Sequence, residues 1–293
     1  MGTLTSLHGR LLCASNWAYA VTADGSVRPA PPYDTAVGFV DAPQGFVSGQ
    51  SERDACLVGR CADGVVVAFR GTLPPTSPDK RQTLEDWLQD FDAGLVTRAG
   101  MPGQVHEGFA RAVDTLWPEL SGAVKALRAA GGGRVFVTGH SKGGGMAPLA
   151  AMRLIAEGVA APAEVEVCTF AAPHPGNQVF ADGYRQAVSA AVRYEYGDDF
   201  VPHVAPSFWF RHLFSKIAAL KNAVGIGYAP AGELRFIDWD GKLVGASTTL
   251  RVKRLYHLLR RVAKLEFDQI VNAHSIELGQ GYMRGVCPDG LGR

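Results

Sequence analysis

The sequence predicts an α/β fold, a mostly parallel sheet with helices on both faces. Three observations carry this expectation. Short Val-rich apolar runs read as buried strands, helical stripes long enough to cross over lie between them, and 35 glycines in 293 residues suit tight turns. Charged residues make up 19% of the chain, below the ~25% of an average soluble domain. With 47% hydrophobic residues, disorder is excluded. Lys and Arg number 29 against 28 Asp and Glu, so a formal charge of +1 offers no global field for nucleic acid or an anionic membrane. The length allows two domains at about 150 residues each, but an α/β chain of this size is often one, and a single domain over residues 1–293 is expected.

No stretch reaches 18 apolar residues, so no transmembrane helix is expected. Near the N-terminus Arg10 precedes Leu11, Leu12, Cys13 and Ala14, and Ala18-Tyr19-Ala20 loosely resembles a cleavage site. Ser15, Asn16 and Trp17 interrupt that run, so the segment reads as a first amphipathic helix rather than a clear signal peptide. The five cysteines (Cys13, Cys56, Cys61, Cys168, Cys287) are odd in number and scattered without metal-ligand spacing. Cys56 and Cys61, five apart on one expected strand, are too distant to bridge there. Free thiols are expected, with a cytoplasmic or leaderless secreted location.

Residues 65–69 form a continuous Val-rich run bounded by Asp63-Gly64 and Gly71, as expected of a strand buried on both faces. After Leu73-Pro74-Pro75, the positions Leu84, Trp87, Leu88 and Phe91 fall at i, i+3, i+4 and i+7, a helical stripe with a cap-like start at Thr83 and Asp86. A longer stripe (Phe109, Val113, Leu116, Trp117, Leu120, Val124, Leu127) is expected to bend or restart at Pro118 and to stop at glycines 131–133. A strand at 134–138, a helix to about 157, a strand at 165–170, a helix near 178–190 and a strand at 191–196 follow. Beyond Pro206 the pattern weakens to an aromatic stretch (Phe208, Trp209, Phe210, Phe214), a hairpin around Asp238-Trp239-Asp240-Gly241 and a basic helix at about 250–265.

Gly139-x-Ser141-x-Gly143 follows one expected strand and precedes a helix. Such a turn lifts a serine Oγ clear of a sheet, and its glycines permit close chain approach. Composition alone yields the pattern in roughly one chain in five or six, so the strand-turn-helix context carries the weight. A serine hydroxyl needs a base and an orienting carboxylate, in chain order Ser, Asp/Glu, His for this architecture. Asp198 and Asp199 both follow the strand ending near 196, where sheet enzymes place functional groups. His203 is close to them in sequence and His257 lies inside the basic helix, so His274 leads on position.

Several ordered blocks resemble the class 3 (fungal-type) lipases of the α/β-hydrolase superfamily. They are Val66-Val67-Ala68-Phe69-Arg70-Gly71-Thr72, Trp87-x-x-Asp90, Val105-His106-x-Gly108-Phe109, Val137-Thr138-Gly139-His140-Ser141-x-Gly143-Gly144, Thr169-Phe170-Ala171-x-Pro173-x-x-Gly176-Asn177, Asp199-x-Val201-Pro202 and the His274 region. The resemblance implies an α/β-hydrolase fold and hydrolysis of acylglycerols or other fatty-acyl esters through an acyl-enzyme. It implies Ser141 as nucleophile, Asp199 rather than Asp198 as the carboxylate, His274 as base, and oxyanion donors at Thr72 and the Lys142 backbone N–H. It also implies a lid at 73–91, where Leu84, Trp87, Leu88 and Phe91 are either an acyl-facing underside or an ordinary core stripe. Residues 207–270 read as a less typical cap or insert.

The chain departs from the pattern in places. Lys142 stands where the family often has an apolar residue, and its side chain is expected to be a solvated or partner-paired cation. Pro148 predicts a bend in the helix after the serine, and His174 and His106 read as loop and helix-start residues. The basic helix (Arg251, Lys253, Arg254, Arg260, Arg261, Lys264) reads as a solvated outer face, with an anionic lipid interface as the rival. The partner expected is a lipid or ester substrate, with contact to lipid aggregates as a further reading. No metal or organic cofactor is expected: there is no HExxH, and Asp238-Trp239-Asp240-Gly241 lacks the remaining calcium-loop ligands. A phospholipase or other esterase with the same residues, and an inactive lipase-like interaction protein, are the alternatives.

Overall fold

A computed structural model describes residues 3–4, 6–48, 54–73, 94–131, 133–203, 227–264 and 266–291. The expected lid stripe (Leu84, Trp87, Leu88, Phe91) and the aromatic stretch Phe208 to Phe214 lie outside the described residues. In chain order the elements are α1 (Leu7–Trp17), α2 (Tyr33–Val37), β1 (Gln44–Val47), β2 (Ala55–Cys61), β3 (Gly64–Phe69), β4 (Leu95–Val96), β5 (Val105–His106), α3 (Glu107–Ala129), β6 (Arg134–His140) and α4 (Lys142–Ala156). Then come β7 (Val165–Phe170), β8 (Gly176–Asn177), α5 (Gln178–Ala187), β9 (Ala190–Tyr196), β10 (Tyr228–Ala229), β11 (Glu233–Ile237), β12 (Leu243–Val244), α6 (Thr248–Ala263), α7 (Phe267–Ala273) and α8 (Gly281–Val286).

The main sheet has eight strands in the order β1-β2-β3-β6-β7-β9-β11-β12. Its centre, from β3 to β11, is parallel, and antiparallel pairs close both edges. Alternation along β3 shows why both faces must be covered. Val65, Val67 and Phe69 enter a core shared with α3, α4 and α5, while Val66 and Ala68 enter a second core shared with α1 and α8. Each such fully buried Val or Phe contributes ~1.5–3 kcal/mol. Cys56 and Cys61 fall in different cores, as an odd spacing on one strand dictates, and all five thiols are free and buried. Residues 233–244, inside the region read as a cap, extend the main sheet as β11 and β12 across the expected hairpin.

α1 is capped by the Ser6 hydroxyl, which accepts from Gly9 N–H, and it is buried nearly all round rather than amphipathic. The reason is its position: it packs on β6 and β3 and against α2 and α8. Ser15 Oγ, which would otherwise be a buried orphan, bonds Leu11 O and Thr138 Oγ1, both at 2.9 Å. α3 runs unbroken through Pro118 instead of restarting there. Pro118 and Asp114 are both on the exposed side, so the carbonyl left without an N–H partner faces water. A second, four-stranded antiparallel sheet, β10-β8-β5-β4, is built from two-residue strands that the sequence pattern does not reveal. Among the described residues no helix is long and apolar enough to cross a membrane.

Candidate active site

The nucleophile candidate sits where β6 turns into α4. Ser141 holds φ 57°, ψ −129°, a left-handed conformation that an L-residue adopts at a cost of ~1–3 kcal/mol. The surroundings enforce it. Ser141 N–H donates to Phe170 O at 3.0 Å, and Gly145 N–H donates to Ser141 O at 3.2 Å. A Cβ at Gly143 would collide with the Phe69 carbonyl, and one at Gly139 with Gly143, so only glycine lets the strand and helix approach this closely. Ala171, at the end of β7 beside the serine, is the other described non-glycine residue with positive φ.

The sheet delivers the remaining groups to the same edge. β9 ends at Tyr196, and Asp199 follows in a tight turn with Val201 N–H donating to its Oδ1 at 3.0 Å. His274 caps the C-terminus of α7, and its Nδ1 lies 3.1 Å from both Asp199 oxygens. A carboxylate only accepts, so Nδ1 carries the proton and Nε2 keeps its lone pair. Both residues are buried. Tyr282 on α8 donates to Asp199 Oδ2 at 2.6 Å. Burial, and then the Asp199 charge, push the Tyr282 hydroxyl far above its usual range, so it remains a donor.

Asp198 points elsewhere. It accepts from Trp239 Nε1 and Arg261 Nε, each at 2.8 Å, with His257 Nδ1 at 3.8 Å. Adjacent carboxylates thus serve different partners, and only Asp199 meets an imidazole in hydrogen-bonding geometry with His274.

Thr72 follows Gly71, whose backbone lies against Ser141: a Cβ there would stand 3.0 Å from Ser141 Cβ. The Thr72 hydroxyl is buried with no hydrogen-bond partner, a donor left open beside the serine. Lys142 is the first residue of α4, so its N–H is one of those a helix N-terminus leaves without an intrahelical acceptor. Its side chain pairs with Asp54 at 2.7 Å, the partnered cation expected. His140, between Gly139 and Ser141, makes contacts the motif alone does not announce. Its Nε2 lies 2.8 Å from His274 O and its Nδ1 lies 2.8 Å from the Tyr19 hydroxyl. Burial, then the neighbouring His274, hold His140 well below the ordinary imidazole range and therefore neutral. Tyr19 and Tyr282 carry no signal in the sequence.

His106 and His174 stay out of this cluster. His106 Nδ1 accepts from Phe109 N–H at the start of α3, with the ring stacked on Phe109. His174 is buried near His203. The basic helix α6 is not simply an outer face: Arg254 turns inward to Glu195, and Arg261 to Asp198 and Glu266.

Among the described residues no group of three or more His, Cys, Asp or Glu side chains is arranged to hold a metal.

The fold, with a serine on a strained strand-to-helix turn, is that of the α/β-hydrolases. Residues 66–209, just under half of the chain, match the Lipase (class 3) family. It is 32% identical over 151 residues to "Secreted mono- and diacylglycerol lipase 1" of Fusarium solani, covering 50% of this chain and 41% of that protein. It is 26% identical over 234 residues to "Phospholipase A1-II 3" of Oryza sativa subsp. japonica, covering 68% and 53%. The chain thus spans about half the length of the curated relatives it matches. The solved Rhizomucor miehei triacylglyceride lipase superposes with a TM-score of 0.57 at 21% identity, over 78% of each chain.

Proposed function

We propose that this chain is a serine carboxylic ester hydrolase that cleaves fatty-acyl esters, acylglycerols foremost, through an acyl-enzyme. The observation that carries the reading is the pairing of a strained, buried-strand serine turn with an Asp199–His274 dyad at the same sheet edge. Ser141 Oγ attacks the ester carbonyl, and its proton passes to His274 Nε2, the ring nitrogen opposite the Asp199 contact. Asp199 holds the tautomer and stabilises the imidazolium; it takes no proton itself. The tetrahedral oxyanion is met by the Thr72 hydroxyl and the Lys142 N–H, each such donor contributing ~2.7–4 kcal/mol. His274 then returns the proton to the leaving alcohol. Water repeats the sequence on the acyl-enzyme to release the acid.

The test is covalent labelling by a fluorophosphonate probe, with the modified peptide containing Ser141. An unlabelled wild-type chain would establish the inactive interaction protein instead. A phospholipase using the same residues is the second reading, favoured by the rice relative's name. Parallel assays on triacylglycerol, phospholipid and nitrophenyl esters of increasing acyl length separate the two. The chain is further proposed to be one domain over residues 1–293. A reducing, cytoplasmic location is proposed on the five free buried thiols, although the Fusarium relative is named as secreted.

A further inference from the structure

Tyr19 takes no part in the chemistry just described, yet it stands where the components of that chemistry meet. It lies in the single helical turn Ala18–Ala20 that follows α1. Its hydroxyl is 2.8 Å from His140 Nδ1 and lies against the Gly71 backbone. A Cβ at Gly71 would run into that hydroxyl, so the approach is available only to glycine.

The donors and acceptors can be ordered without ambiguity. The His274 carbonyl can only accept, so the His140 Nε2 facing it at 2.8 Å carries the proton. His140 is neutral, which leaves Nδ1 as an acceptor, and the Tyr19 O–H donates to it. One polarised chain therefore runs from the Tyr19 hydroxyl through His140 to the main chain of His274. It begins at a hydroxyl packed against Gly71, one residue before Thr72, passes through the residue before Ser141, and ends on the proposed base.

We infer that Tyr19 is a positioning residue, whose hydroxyl sets the spacing of the Thr72 donor, Ser141 and His274 by acting through Gly71 and His140. The inference rests on the ester-hydrolase reading above. It concerns the transition state, since the linked residues adjoin the proposed oxyanion donor, nucleophile and base.

The test is Tyr19→Phe, which keeps the ring and removes only the hydroxyl. A fall in kcat of about tenfold or more with KM within about twofold is expected, the scale of a small misplacement of reacting groups. In a Thr72→Ala background the same substitution should cost much less, because the two changes share one geometry. Replacing Tyr19 by 3-fluorotyrosine, which keeps the donor, should retain wild-type kcat. Unchanged kcat, a loss confined to KM, equal losses in both backgrounds, or a fluorotyrosine variant as impaired as Tyr19→Phe would each overturn the inference. Nitrogen-15 spectra of the His140 imidazole give an arm that needs no substrate and no folded variant. The wild type should show the neutral Nε2–H tautomer with a hydrogen-bonded Nδ1, and an Nδ1–H tautomer overturns it. A wild type inert to both esters and fluorophosphonate removes the ester-hydrolase reading along with this one. An active wild type matched by Tyr19→Phe removes this one alone.

Discussion

Ser141 and the two neighbouring aspartates offer the sharpest tests at the scale of single residues. Ser141→Ala removes the hydroxyl proposed as nucleophile and is expected to lose all fluorophosphonate labelling and to cut ester turnover by roughly 10⁶. Asp199→Asn keeps its shape but presents an amide N–H where His274 Nδ1–H needs an acceptor, which favours the wrong tautomer. A loss in kcat of about 10⁴ is expected. Asp198→Asn disturbs the contacts to Arg261 and Trp239 and should lower thermal stability while leaving most of kcat. Comparable kcat losses in the two variants would contradict the roles assigned. In the sequence the two aspartates are equivalent by position, and only the resemblance favoured Asp199. The separation of their partners is three-dimensional, because His274 and Arg261 arrive from distant parts of the chain.

At the scale of elements, the nucleophile turn and α6 behave differently. The turn is legible in sequence because its constraints are local: a Val-rich buried strand, two glycines and a helix within about twenty residues. Gly143→Ala should therefore break it. Its Cβ has nowhere to go but into the Phe69 carbonyl, and a destabilisation of about 1–3 kcal/mol with loss of labelling is expected from urea melts and probe gels. Helix α6 was legible as a helix but not in its role. Its arginines read as a charged outer stripe, whereas Arg254 reaches the buried Glu195, which Arg193 also pairs. Arg254→Met should cost about 3 kcal/mol, since it leaves a buried carboxylate short of a partner. A cost under about 1 kcal/mol in denaturant melts would show that the pair is dispensable. The two-residue strands of the small sheet and the all-round burial of α1 escaped the sequence for the same reason: no local period records them.

The whole molecule carries a pH signature. Burial lowers His140 and His203 well below the ordinary imidazole range, with His274 adding to the effect on the first and Arg254 on the second. Unfolded, each returns to about 6.5, so below that pH the unfolded chain binds more protons and stability falls. Their contribution is complete above about pH 7 and is lost as pH drops toward the folded values. For Glu195, burial alone would raise the carboxyl, but Arg254 and Arg193 more than reverse this and leave it below the usual range. Its contribution is likewise present above the ordinary carboxylate value of about 4.3 and declines as pH falls below it. Melting temperature should hold between pH 7 and 8, decline from about 6.5, and decline again below about 4.5. A flat profile from pH 8 to 5 would contradict the assignment of the two buried histidines.

The bonds that tie α1 to β6, and His274 and Tyr282 to Asp199, join residues that leave the ribosome far apart in time. Ser15 waits for Thr138, Asn16 for Ile276, and Asp199 for His274 and Tyr282. A nascent chain that has emerged only to residue 260 can already contain the parallel centre of the sheet, but it has neither His274 nor cover for α1. The Asp199 contacts and the burial of α1 are therefore completed only after residues 274–286 have emerged, so the two late helices close both at once.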